Sequence, residues 1–252
     1  MCGWFLERVS GTLWSYLAGR PNPDAWHRVP GAKPVTYKTR DGRTLHGYTI
    51  SPDQPPLTPG QPTGFVLFAQ GNAMLADQLL DALSLFARQG IHVFVYDYRG
   101  YGRSEGKPRL KAIVSDYEEI FQSLSATHTG RKLLYGISFG GLVVLNVIGR
   151  GAAFDGAVID STPSRVSTMG CPEDYDPVRN VPENAANILI ISGRQDSVVR
   201  PAEQSELLGS ARARRARVVI EDEFGHPFMD REPSIHTRRL ELVKSFLLGP
   251  GR

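Results

Sequence analysis

A chain of 252 residues with 41% apolar content has enough to bury a large core, which excludes a disordered protein, and α/β folds reach this length undivided. The formal net charge of +3 is small and the basic residues are scattered, apart from "ARARRAR" at Ala211 to Arg217, so no nucleic-acid partner is indicated. Cys2 and Cys171 build no disulfide framework and lack metal-ligand spacing, and no apolar run approaches the ~20 residues of a membrane span, so the expectation is a soluble chain, cytoplasmic by default.

The N-terminal stretch "CGWFLERVSGTLWSYLAG" sets Trp4, Phe5, Val9, Leu13, Trp14, Tyr16 and Leu17 largely on one side of a helix. Residues 1–30 are therefore read as an amphipathic segment with two suitable roles, packing on the flank of a sheet or peripheral contact with a membrane. Residues 31–252 are read as one domain. "VTYKTRDGRTLHGYTISP" predicts a hairpin around Asp41-Gly42, and the Pro-rich stretch that follows predicts an exposed loop. A rhythm then sets in. "FVLFAQ" reads as a buried strand and Met74 to Gln89 as a helix closed by Gly90; "IHVFVYDY" is a strand and Leu110 to Thr127 a helix. "KLLYGI" is a strand and Phe139 to Ile148 a helix, followed by the strands "GAVID" and "NILIISG". Glu203 to Leu208 reads as helical, "ARVVIED" as a strand and Ser234 to Leu248 as a last helix. Short apolar strands alternating with helices imply an α/β fold with a mainly parallel central sheet, flanked by helices on both faces.

Ligands of such sheets bind at the carboxyl ends of the strands. The polar residues just after each strand are Gln70-Gly71-Asn72, Asp97 to Gly100, Ser138, Asp160, Asp196 and His226. Ser138 stands in Gly136-Ile137-Ser138-Phe139-Gly140, a G-x-S-x-G pattern between strand and helix, the setting of a nucleophile elbow. A serine hydroxyl needs a base to take its proton. Of six histidines, His27 and His46 lie early, His92 begins a strand, and His128 and His236 belong to helices; His226, in "EFGHPF", alone follows a strand. The imidazole in turn needs an acidic partner. Asp196 is favoured by the order Ser…Asp…His, with Asp160 as the alternative acid.

Together "YDYRGYGRSEGKP", "GISFGG", "SGRQDSVVRP" and "FGHPF" resemble the α/β-hydrolase superfamily, and within it the small cap-poor serine hydrolases that include bacterial esterases and palmitoyl-protein thioesterases. The resemblance runs from about Val35 to Leu248 and implies a catalytic triad of Ser138, Asp196 and His226, with an oxyanion hole at the main-chain N–H groups of Asn72 and Phe139. It also implies a serine hydrolase that cleaves small-molecule carboxylic esters or thioesters through a covalent acyl-enzyme, without cofactor or metal. Two features depart from the usual pattern. Gln70 stands where relatives carry histidine in His-Gly-Asn, and the interval from Asp160 to Asn187, 27 positions, is too short for a cap domain. Alternative readings are an aminopeptidase-like peptidase, for which Glu173, Asp174 and Asp176 would hold a free amine, and a silent binding module. The arginines and glycines of "DYRGYGRSEG" lack P-loop spacing and read as a structural loop. Cys2-Gly3 resembles the mature start of a bacterial lipoprotein, which would place the chain in the envelope.

Overall fold

In the computed structural model, which describes residues 13–52 and 63–249, the apolar runs assemble into one eight-stranded sheet. β1 (Ala32–Lys38) and β2 (Thr44–Ile50) form the expected antiparallel hairpin, and Gly42 supplies its positive φ of 80°. β2 also pairs antiparallel with β4 (Ile91–Tyr96). Beyond it β3 (Gly64–Ala69), β5 (Arg131–Ile137), β6 (Gly156–Asp160), β7 (Ile188–Gly193) and β8 (Arg217–Glu221) run parallel, in the order β1-β2-β4-β3-β5-β6-β7-β8.

Every residue of β3, β6 and β7 is buried, which requires helices on both faces. They are α1 (Leu80–Ala87), α2 (Leu110–Thr127), α3 (Phe139–Gly149), α4 (Pro201–Ala213) and α5 (Pro233–Leu248). The period of two along the strands separates the core. Leu67, Leu134, Ile159 and Ile190 meet α2, α3 and α4, whereas Val66, Leu133, Val158 and Leu189 meet α1 and α5.

Three expectations change. The helix expected from Met74 begins as a 3-10 turn at Ala76 and becomes α-helical at Leu80, because Ala73 takes φ 55° and the carboxylate of Asp97 caps Ala76 N–H at 2.7 Å. α4 extends well beyond Glu203–Leu208 at both ends, with Pro201 fixing its first turn and the Glu203 carboxylate accepting Arg200 N–H at 2.8 Å. Cys171 is disulfide-bonded, although two lone cysteines had suggested no framework; spacing along the chain does not report distance in space. The interval between β6 and β7 holds three 3-10 turns, Ser167–Met169, Glu173–Tyr175 and Pro177–Asn180, and no longer helix. Arg99 is committed to the carboxylates of Asp116 and Asp41, so it ties the hairpin and α2 to the loop after β4. Residues 13–17 are helical, with Trp14 against the core; Cys2, Trp4, Phe5, Val9 and most of the Pro-rich loop lie outside the described residues.

Candidate active site

β3 has β4 on one side and β5 on the other, so the connections leaving β3 and β5 part and open a crevice at their carboxyl ends. Ser138 follows β5 there. Its φ of 54° and ψ of −118° are strained for a residue with a Cβ, and the turn is held by Ser138 N–H donating to Asp160 O at 2.8 Å and by Thr162 Oγ1 donating to Ser138 O at 3.0 Å. The flanking glycines allow the close packing: a Cβ on Gly140 would run into the Ala69 carbonyl, and one on Gly136 into the Gly140 carbonyl. Phe139 opens α3, so its N–H belongs to the first-turn donors that the helix itself leaves unpaired.

The loop after β3 passes beside the serine, since a Cβ at Gly71 would stand 3.6 Å from Ser138 Cβ. Gln70 is fully buried beneath it. The Tyr98 hydroxyl donates to Gln70 O at 2.6 Å and so anchors the loop, whereas the Tyr117 hydroxyl donates to Tyr96 O at 2.9 Å and lies 3.4 Å from Gln70 Oε1. Asn72 Oδ1 accepts from the Tyr101 hydroxyl at 3.4 Å.

His226 Nδ1 lies 3.0 and 3.1 Å from the two carboxylate oxygens of Asp196, at the ends of β8 and β7. A carboxylate only accepts, so Nδ1 carries the proton and Nε2 is the nitrogen left for another partner. Burial pushes the Asp196 carboxyl up, but the hydrogen bond and charge of His226, with the N–H groups of Val199 and Val198, outweigh it and hold the group below its usual range.

Asp160, the alternative acid, ends β6 beside Ser138 and is fully buried, but its Oδ1 accepts from Arg239 Nη1 at 2.8 Å and from Ser161 Oγ at 3.2 Å. Burial pushes the Asp160 carboxyl up, and its main-chain oxygen accepts from Ser138 N–H, which fixes Ser138 to the end of β6. Arg239 is itself buried. It donates from Nη2 to Gly225 O at 2.7 Å and to Asp230 Oδ1 at 2.9 Å, and Asp230 in turn accepts Gly225 N–H. One guanidinium thus braces both ends of the His226 loop against β6. Sequence reasoning missed it, although a signal exists: Arg239 interrupts the stripe of α5 that Val243 and Leu247 continue at four-residue spacing. His92 and His128 pair at the opposite end of the sheet, with ring centroids 5.6 Å apart, whereas His236 borders the His226 loop, its ring 4.7 Å from that of Phe228 and its Nδ1 3.9 Å from Asp230 Oδ2.

Residues 60–178 match the family model described as "Serine aminopeptidase, S33". The chain is 26% identical over 258 residues to the uncharacterized protein YfhR of Escherichia coli K12, covering 95% of this chain and 88% of that one. Among solved structures it is similar to the esterase Pf2001 of Pyrococcus furiosus, with a TM-score of 0.70 at 18% identity over 91% of this chain and 95% of that one. It is also similar to a puromycin-hydrolyzing peptidase of Mycobacterium tuberculosis, with a TM-score of 0.65 at 20% identity over 91% of this chain and 40% of that one. By strand order and by these likenesses, the chain has the α/β-hydrolase fold.

Proposed function

We propose that this chain is a serine hydrolase that cleaves carboxylic esters or thioesters through an acyl-enzyme. The observation that carries the reading is the His226–Asp196 pair at 3.0 Å, set at the same sheet end as the strained Ser138 elbow. Ser138 Oγ attacks the acyl carbon while its proton passes to His226 Nε2, and Asp196 stabilises the resulting imidazolium. The charge that develops on the carbonyl oxygen falls to the N–H groups of Asn72 and Phe139, the second of which adds the field of a helix N-terminus. As the tetrahedral intermediate collapses, the alcohol or thiol leaves with the proton from His226. Water, deprotonated by the same imidazole, then attacks the acyl carbon and releases the acid.

Two of the three carboxylates that could hold a free amine, Asp176 and Glu173, are engaged elsewhere, which supports an ester or thioester over such a peptide, while Asp174 is exposed. Asp176 is buried and accepts from Val166 N–H, Ser167 N–H and Ser167 Oγ, and Glu173 pairs with Arg179. Both are engaged in holding their own segment. A fluorophosphonate probe should label the wild-type chain at Ser138 and leave Ser138→Ala unlabelled, with matching loss of p-nitrophenyl butyrate hydrolysis. A wild-type chain that takes no label is a binding module, and one that cleaves aminoacyl amides faster than esters is a peptidase.

A further inference from the structure

The two N–H groups assigned to the oxyanion, those of Asn72 and Phe139, stand far apart in the chain, on the connections that follow β3 and β5. The segment after β4 reaches both, although β4 lies on the far side of β3 from β5. Its consecutive residues Asp97 and Tyr98 grip the connection after β3 at two ends. The Tyr98 hydroxyl donates to Gln70 O at 2.6 Å, and Asp97 Oδ1 accepts Ala76 N–H at 2.7 Å. Between those ends Asn72 Oδ1 accepts from the Tyr101 hydroxyl at 3.4 Å, and Ala73 takes φ 55°, a conformation that persists only where the surroundings impose it. The Tyr98 ring also meets that of Phe139 edge to face, with centroids 5.4 Å apart and planes at 86°.

Tyr98 is 1% exposed, and its own place is fixed. Its ring packs against those of Tyr117 and Tyr101, its carbonyl accepts Tyr101 N–H at 2.8 Å, and the next residue, Arg99, is bound to Asp116 and Asp41. Burial, with Tyr117 and Tyr101 beside it, holds the phenol well above its usual range, so the hydroxyl stays a donor across neutral and alkaline pH. The carbonyl it binds matters for what adjoins it. Gln70 O belongs to the peptide unit next to the one that carries Asn72 N–H, and Gly71 alone joins the two. A glycine is a free pivot, so anchoring Gln70 O sets the direction of Asn72 N–H.

We propose that Tyr98 is the positioning residue of the oxyanion hole, its hydroxyl fixing the loop of Asn72 and its ring fixing the start of α3 at Phe139, so that the two N–H groups converge on one point beside Ser138. The inference rests on the serine-hydrolase reading and deepens it. Oxyanion donors stabilise the tetrahedral intermediate only when they are aimed in advance at the oxygen that gains the charge. An error of a fraction of an ångström in that aim costs rate rather than ground-state binding. Packing alone does not call for the hydroxyl, since a phenylalanine ring fills the same space against Phe139, Tyr101 and Tyr117.

Tyr98→Phe deletes the hydroxyl and keeps the ring. Tyr117→Phe is its control: Tyr117 is equally buried, and its hydroxyl donates to Tyr96 O at 2.9 Å and meets Gln70 at the side chain, at 3.4 Å. With p-nitrophenyl butyrate, Tyr98→Phe should lower kcat by about 10- to 100-fold with KM nearly unchanged. Inhibition by a trifluoromethyl ketone, whose adduct with Ser138 carries an oxyanion, should weaken by a similar factor. The pH profile of kcat/KM should keep its shape, because His226 is untouched. Tyr117→Phe should hold kcat and inhibition within about threefold of wild type, whatever the two variants lose in Tm. If Tyr98→Phe fails to fold, Phe139→Leu, which removes the ring contact from a half-buried position, should still lower kcat about tenfold at constant KM. Unchanged kcat in the variant that folds, equal losses in Tyr98→Phe and Tyr117→Phe, or a displaced pH profile each overturn the proposal. A wild-type chain that takes no fluorophosphonate label overturns the hydrolase reading itself and this inference with it, whereas a labelled wild type leaves the kinetics of the variants to decide on Tyr98 alone.

Discussion

At the scale of the residue, the environment of each carboxylate decides its role. Asp196 faces an imidazole, and Asp160 faces a buried guanidinium. Asp196→Asn should lower turnover by about 10³ to 10⁴, as when an imidazole loses its orienting charge, with little change in Tm. Asp160→Asn should do the reverse: turnover within tenfold, and a lower Tm because Arg239 loses a charged partner. Steady-state kinetics and thermal melts of both variants check this, and the opposite ranking would make Asp160 the acid. Ser138→Ala and His226→Ala should each reduce turnover to near background, with the double variant hardly worse, since groups acting on one proton are not additive. Asp97 offers a test by pH. Burial pushes its carboxyl up to about 7, with Asp77 adding to the rise and the Ala76 N–H opposing it. An unfolded Asp titrates near ~3.9, so the folded state binds this proton more tightly, and the stability it contributes is present below that value and lost as pH rises through about 7. Asp97→Asn keeps an acceptor for Ala76 N–H and should raise Tm at pH 8, by about 2–4 °C for each kcal/mol gained, with the gain shrinking toward pH 5.

At the scale of the element, α5 does more than cover the sheet. Its stripe carries Arg239 into the core, where one side chain reaches Asp160 on β6 and Asp230 and Gly225 on either side of His226. Phe224, just before that loop, lies under the same guanidinium at 4.2 Å. Arg239→Met strips two buried carboxylates of their partner, a loss of about 3–5 kcal/mol by the usual cost of breaking such a pair. Asp230→Asn is gentler, because the Asp160–Arg239 pair survives and only the charged anchor of the loop is lost. It should lower kcat by about 10- to 100-fold with KM nearly unchanged, as expected when a base is misplaced by a fraction of an ångström. Equal kcat in wild type and Asp230→Asn would show that the loop holds His226 without this brace.

For the whole molecule, the consequence lies in what it encloses. The segment between β6 and β7 is a set of 3-10 turns, so little wall rises over Ser138 for a long acyl chain to lie against. Each buried methylene is worth ~0.8 kcal/mol, but only where a surface exists to bury it. In free solution kcat/KM should rise from acetyl to about butyryl or hexanoyl esters and then level off. Long chains should gain once vesicles supply the missing wall. A steady rise to sixteen carbons without any lipid would reveal a deep channel, contrary to this view.

The sequence by itself determined what depends on neighbours along the chain. The period of its apolar residues placed all eight strands, the Gly136–Gly140 pattern marked the turn between β5 and α3, and the order of polar residues after the strands named Ser138 and His226 as candidates. Helix starts at Ala76 and Pro201 were misjudged because a carboxylate from another strand caps the first and a proline extends the second. Asp196 was favoured over Asp160 by the order Ser…Asp…His, but only the tertiary structure shows what each carboxylate meets. Arg239, 79 positions from Asp160, engages one and leaves the other to the imidazole. The same holds for Met169, Val198 and Met229, exposed side chains far apart in the chain that come to one end of the sheet because the parallel strands β6, β7 and β8 deliver their connections to the same side.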